Sequence, residues 1–281
     1  MITRFAPSPT GPLHLGHAYS ALTASDLARA EGGTLLLRID DIDQSRSRPE
    51  WEAQIYDDLH WLGLRWPEPV WRQSDHLPLY ADALERLIAM GLTYPCRCSR
   101  KDIEAAASAP QEGAPAFGPD GRIYPGTCRG RSMAERTADD ALRLHLARAV
   151  EVTPLRQFEE IGPAHAGAHA LAPDDLITSV GDVVLARRGM GASYHLSVVV
   201  DDAAQDVTHV VRGEDLFTAT FIHTLLQGLL GLPTPTYLHH PLVRDAAGKR
   251  LAKRDDARAL ASYRTEGKTP QDVRRLADLA V

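Results

Sequence analysis

The sequence predicts an α/β protein built on a parallel sheet of the nucleotide-binding type, interrupted by an inserted module and closed by a short helical segment. Three observations carry this. Apolar strand-like runs alternate with helix-length stretches as far as Met90. The rhythm breaks at Tyr94-Pro95-Cys96, and from Ser108 to Gly130 the chain is rich in Gly, Pro and Ala. It then resumes at Val207 to Arg212.

Taken in order, Ile2 to Phe5 reads as a buried strand and His17 to Ala30 as a helix stopped by Glu31-Gly32-Gly33. Thr34 to Ile39 is a second strand, running into Asp40-Asp41-Ile42-Asp43. Pro49 to Leu62 is a helix with proline in its first turn, and Leu77 to Met90 another, with Gly91 as its stop. Asp140 to Leu146 alternates like a strand. Asp182 to Ala186 and Ser193 to Val200 are expected to form a β pair across Arg188-Gly189-Met190-Gly191. A helix follows from Phe217 to Leu230, then a short strand, a basic loop and one or two helices after Pro233. The expected partition is residues 1–95 for the first half of the nucleotide-binding domain, 96–180 for the inserted module, 181–235 for the second half of that domain and 236–281 for the basic loop and C-terminal helices.

At 281 residues the chain has room for one large domain or two ordinary ones. Its 44% apolar and 24% charged content is that of a globular protein, and the net charge of −6 disfavours nucleic-acid binding by overall attraction while allowing a local basic track. Neither a membrane span nor a secretory signal is expected, so the cytoplasm is the expected location.

His14-Leu15-Gly16-His17 places two imidazoles and a glycine where a strand gives way to a helix. Unpaired N–H groups and a partial positive charge at that terminus suit a phosphate chain. Gly16 lets a flat ligand approach the backbone, and the histidines can donate to phosphoryl oxygens as charge develops. Lys249-Arg250-Leu251-Ala252-Lys253-Arg254 follows Asp245-Ala246-Ala247-Gly248. It reads either as cations folding over a polyphosphate or as a solvated basic turn. Arg4 and Arg212 stand at strand ends beside the expected cleft, and guanidinium groups pair bidentately with carboxylates. Asp40 can take an ammonium group, and Ser8 and Tyr194 can supply hydroxyls.

All three cysteines fall between Cys96 and Cys128. An odd number in a cytosolic-looking chain argues against a disulfide framework, leaving a zinc site or three reduced thiols. Three thiolates need a fourth ligand, and His145 is one candidate. His239 and His240 read as packing or cleft-lining residues. Trp51, Trp61, Trp66 and Trp71 read as packing, and Arg129, Arg131 and Arg136 as a solvated face or RNA contacts.

Together, Phe5-Ala6-Pro7-Ser8-Pro9-Thr10-Gly11 with His14-Leu15-Gly16-His17, and Arg250-Leu251-Ala252-Lys253-Arg254, resemble the two signatures of class I aminoacyl-tRNA synthetases, the first in its glutamyl form. Tyr194 to Asp202 and Val211-Arg212-Gly213-Glu214-Asp215 resemble the glutamyl enzymes in the same order. Arg250 stands where lysine is common and Ala252 where serine is usual. Val198 replaces a frequent asparagine, and Asp40 a frequent glutamate.

The resemblance implies a Rossmann-type sheet and an ATP site of Pro7, His14, Gly16, His17, Arg250 and Lys253, with His14, His17 and Lys253 catalytic. It implies a glutamate site of Arg4, Ser8, Asp40, Tyr194 and Arg212. For zinc it points to Tyr124 as the fourth ligand beside Cys96, Cys98 and Cys128. Magnesium is expected with ATP. The chain's length resembles the family's truncated members, which lack an anticodon-binding domain. These activate L-glutamate without tRNA and attach it to queuosine at the wobble position of tRNA(Asp), here expected of a monomer. The alternatives are a short enzyme charging tRNA(Glu), a non-catalytic tRNA-binding paralogue, or a small-molecule adenylyltransferase.

Overall fold

A computed structural model describes residues 1–107, 117–119, 121–153, 157–243 and 258–279. β1 (Ile2–Phe5), α1 (Leu15–Ala30) and β2 (Thr34–Ile39) form a strand–helix–strand unit. Its strands are parallel, with Ile2 opposite Thr34 and Phe5 opposite Leu37. The helix returns tightly because Gly33 lies against the start of the chain: a Cβ there would sit 2.2 Å from the Met1 carbonyl oxygen. α2 (Pro49–Trp61), with Pro49 and two glutamates in its first turn, leads to β3 (Trp71–Arg72) on the far edge of β2. α3 (Leu77–Ala89) follows.

β4 (Thr93–Cys96) starts a second, antiparallel sheet in the order β10–β7–β4, with β7 at Ala141–Leu144 and β10 at Val184–Ala186. Between β4 and β7 lie α4 (Arg100–Ala107) and a small hairpin of β5 (Phe117–Gly118) and β6 (Gly121–Arg122). α5 (Leu146–Val152), β8 (Gln157–Glu160), β9 (Gly167–Ala170) and α6 (Pro173–Ser179) come before β10. After it run α7 (Tyr194–Ala204), β11 (His209–Gly213), α8 (Ala219–Leu230) and β12 (Thr236–His240). The third sheet has the order β11–β12–β8–β9, and β11 and β12 are parallel. It meets the first sheet where Thr208 N–H donates to the Ile2 carbonyl at 3.0 Å. α9 (Leu260–Thr265) and α10 (Pro270–Leu276) end the described chain.

One expectation is overturned. Ser193 to Val200 is not the second strand of a β pair but the start of α7; of that pair only Val184–Ala186 is strand. The run is β-branched, yet Leu196, Val198 and Val199 are all buried, so no polar face marks a helical period. Ser193 is the N-cap, its hydroxyl accepting from Leu196 N–H. Strand pairing also crosses the expected boundaries. β8 and β9, inside 96–180, join β12, whereas β4 pairs with β7.

Two apolar cores support the site. One gathers Leu87 of α3, Leu196 of α7 and Leu226 of α8, all fully buried. The other packs α1, β2 and α2 and takes in Leu260 of α9 and Val273 of α10, so the last helices return onto the first unit. Among the described residues no helix is long and apolar enough to cross a membrane.

Candidate active site

α1 starts with an unusual cap. Gly16 N–H donates to His14 Nδ1 at 3.1 Å, and His14 N–H donates to His17 Nδ1 at 3.1 Å. Each imidazole thus plays the part that Ser and Glu play in a capping box. Because both Nδ1 atoms accept, each neutral ring carries its proton on Nε2. The ring centroids are 3.8 Å apart.

The rings border a cleft of about 380 Å³, also lined by Gly16, Arg4, Arg38, Asp40, Tyr194 and Arg212. β1, β2 and β11 deliver Arg4, Arg38 and Arg212, and α7 delivers Tyr194, at the C-terminal ends of parallel strands where α/β ligands bind. Val198 and His240 line it too. Pro7 is buried, its carbonyl accepting from Asp40 N–H at 3.0 Å, and Ser8 is exposed; neither is among the lining residues. Arg250 and Lys253 lie outside the described residues. The chain on either side does reach the cleft. Val243 lines it, and Ala259 bridges to His14, with Leu260 N–H donating to the Leu13 carbonyl at 2.8 Å.

The floor is a buried ionic cluster. Asp202 accepts from Arg4 Nε at 3.0 Å and Arg38 Nη1 at 2.6 Å, and Arg38 Nε reaches Asp40 at 2.7 Å. Asp201 beside it accepts from Tyr80, Trp71 and Gln73. Burial pushes the Asp40 carboxyl up to about 6 against the pull of Arg38. Burial acts in the same sense on Asp202, but the Arg4 and Arg38 charges outweigh it and hold that carboxyl below its ordinary value. Arg38 and Asp202 escaped the sequence reading as site residues. The alternation along β2 held the signal for Arg38, since positions 38 and 40 share one face.

The cysteines meet in a second cluster. The Sγ atoms of Cys96, Cys98 and Cys128 lie within 4.8 Å of one another, and the His145 nitrogens fall outside that group. Tyr124 Oη is 3.4 Å from both Cys96 and Cys98 Sγ and accepts from Cys128 N–H at 2.8 Å. Zinc–sulfur bonds of about 2.3 Å give tetrahedral edges of roughly 3.8 Å, so three thiols and a phenol at this spacing fit one ion. Arg143, unremarked in the sequence, donates to Cys96 Sγ at 3.3 Å and covers the Tyr124 ring at 3.8 Å. His145 instead caps α5, its Nδ1 accepting from Arg148 N–H.

Comparison with known proteins adds a family. The model of tRNA synthetases class I (E and Q), catalytic domain, matches residues 1–279. Glutamyl-Q tRNA(Asp) synthetase of Rhodobacter capsulatus is 64% identical, covering 99% of this chain and 100% of that protein. The protein of the same name from Nocardia farcinica is 45% identical over 96% of this chain and 81% of its own length. Among solved structures, a glutamate tRNA ligase from Elizabethkingia meningosepticum in complex with its amino acid superposes with a TM-score of 0.75 at 24% identity. That match covers 99% of this chain, which spans 60% of the ligase's length.

Proposed function

Since the chain belongs to the catalytic-domain family of class I tRNA synthetases of the E and Q type, we propose that it activates L-glutamate with ATP and passes the glutamyl group to queuosine in tRNA(Asp). The observation that carries this reading is the cleft itself. It joins a helix N-terminus capped by two imidazoles to three guanidinium groups and the carboxylates of Asp40 and Asp215.

In the first step a glutamate α-carboxylate oxygen attacks the α-phosphorus of ATP, forming glutamyl-adenylate and releasing pyrophosphate. His14 and His17 donate from Nε2 to phosphoryl oxygens, aided by the positive end of α1. Arg250 and Lys253 act from the segment whose flanks, Val243 and Ala259, stand at the cleft. Arg212 receives the side-chain carboxylate. Asp40 receives the ammonium group, and the N–H groups of Arg4 that Asp202 leaves over serve the amino acid, with Tyr194 and Ser8 adding hydroxyls. Magnesium bound with ATP supplies charge neutralisation on the phosphates. In the second step a hydroxyl of the queuosine cyclopentenediol attacks the activated carbonyl, and AMP leaves.

Cys96, Cys98, Cys128 and Tyr124 would hold one structural zinc ion, fixing β4 against the loop after β6. In this reading the protein works as a monomer in the cytoplasm. Pyrophosphate exchange into ATP tests the first step. Exchange that needs glutamate and no tRNA is expected, whereas none from folded protein would sink the reading.

A further inference from the structure

Arg212 differs from the other two guanidinium groups of the cleft in what grips it. Arg4 and Arg38 are held by the carboxylates of Asp202 and Asp40. Among the described residues no carboxylate comes within ion-pairing distance of Arg212. Its Nε donates to His239 Nε2 at 3.1 Å and its Nη1 to His223 Nδ1 at 3.1 Å. Its Nη2 donates to Thr220 Oγ1 at 2.7 Å and to the Leu216 carbonyl at 3.3 Å. His223, His239 and Thr220 are buried.

A guanidinium group only donates, so His239 Nε2 and His223 Nδ1 must be bare nitrogens. His239 therefore carries its proton on Nδ1, where it meets Glu160 Oε2. Glu160 is itself fixed by His239 N–H at 2.9 Å and Gly162 N–H at 2.6 Å. His223 carries its proton on Nε2, 3.1 Å from Nδ1 of His195, the neighbour of Tyr194 in α7. The chain Glu160–His239–Arg212–His223–His195 closes with one proton arrangement. Burial, seconded by the Arg212 charge, pushes His239 down to about 4 and His223 well below its ordinary value. The other charged or titratable groups facing His223 are His195, Tyr194, Arg4 and His239; those facing His239 are Glu160, His165 and Tyr237.

We propose that His223 and His239 are positioning residues that aim Arg212 into the cleft without neutralising it, leaving the side-chain carboxylate of the substrate to supply the direct counter-charge. The nearest acid in the relay, Glu160, is held one imidazole away. The proposal rests on the glutamate-activating reading above and deepens it into a basis for preferring glutamate over glutamine. Glutamine offers Arg212 a neutral carbonyl and no ion pair. Replacing a neutral imidazole by a carboxylate should therefore cost selectivity while keeping Arg212 held.

The test measures glutamate-dependent pyrophosphate exchange and its inhibition by glutamine in the full chain. His223→Glu is expected to raise KM for glutamate at least tenfold, with kcat changed less than threefold and KM for ATP unchanged, and to weaken the preference over glutamine. His223→Gln, which keeps a neutral acceptor, should hold KM within threefold of the parent protein. Equal losses in the two variants, or no loss in either, would overturn the proposal. Absence of exchange in the parent protein would instead defeat the glutamate reading beneath it. Nitrogen-15 NMR of labelled histidines in the unmutated protein gives a check free of folding effects. His239 protonated at Nδ1 and His223 at Nε2, both neutral down to pH 5, is expected; either ring cationic at pH 6 contradicts the proposal.

Discussion

Asp40 shows how much one buried carboxylate can carry. It shares the cleft with Arg38, 2.7 Å away, yet burial raises its carboxyl to about 6. In the proposed role it must be charged to hold the substrate ammonium, so KM for glutamate should rise as pH falls from 7.5 to 5, following a group near 6. Asp40→Asn should have a high KM that no longer follows this group, with KM for ATP as the control. The stability sign is opposite to that of an ordinary paired carboxylate. Because the folded value lies above the usual one, folding takes up a proton, and Asp40 penalises the fold above pH 6 and less as pH falls towards 4. A denaturation series showing no relief of this kind relative to Asp40→Asn would refute the assignment. Asp40 and Arg212 were readable as strand-end residues of chemical type. His223 was not, because it sits in a helix whose other residues are mostly apolar and its partners come from 11 and 28 positions away.

Elements were legible where a period or a stop marked them, and the inserted module shows the limit of that. β1, β2 and the helix over Pro49 stood out because glycine, proline and apolar runs delimit them. β8 and β9, with sequences QFEE and GAHA, carry no apolar run, and β12, the strand that joins β8 to the sheet, follows only after α6, β10, α7, β11 and α8. α7 was misread because it is buried almost throughout its first two turns. Ser193→Ala should cost about 1 kcal/mol by loss of its cap, seen as a lower denaturation midpoint. In the cysteine cluster, metal analysis should find one zinc ion per chain. Tyr124→Phe should keep the three thiols yet lose zinc to a chelator at least tenfold faster. Metal content of zero in folded, active protein would remove the zinc assignment.

The whole molecule is held across its halves by charge as well as by core. Asp202, from α7, grips Arg4 of β1 and Arg38 of β2, so one carboxylate ties the first strand–helix–strand unit to the later helices. Asp202→Ala would strand the buried Arg4 guanidinium and leave Arg38 to Asp40 and Asp201, and should destabilise the protein by about 3–5 kcal/mol, read from urea denaturation. A loss within 1 kcal/mol would mean that water or Asp201 compensates. The end of the described chain makes a second tie: Arg274 of α10 reaches Asp26 of α1 at 2.7 Å, while Leu260 and Val273 enter the core around α1, β2 and α2. That closure brings the flanks of the basic segment to His14. The sequence could name both signatures, but only the return of the C-terminal helices explains why Ala259, just past the second, bridges to His14 in the first.

What sets this cleft apart in the proposed function is its pairing with a modified base. It is tested by following labelled glutamate from ATP-activated enzyme onto three acceptors: tRNA(Asp) containing queuosine, tRNA(Asp) without it, and tRNA(Glu). Label is expected on the queuosine-containing tRNA(Asp) alone. Label on tRNA(Glu), with none on queuosine-containing tRNA(Asp), would contradict that pairing.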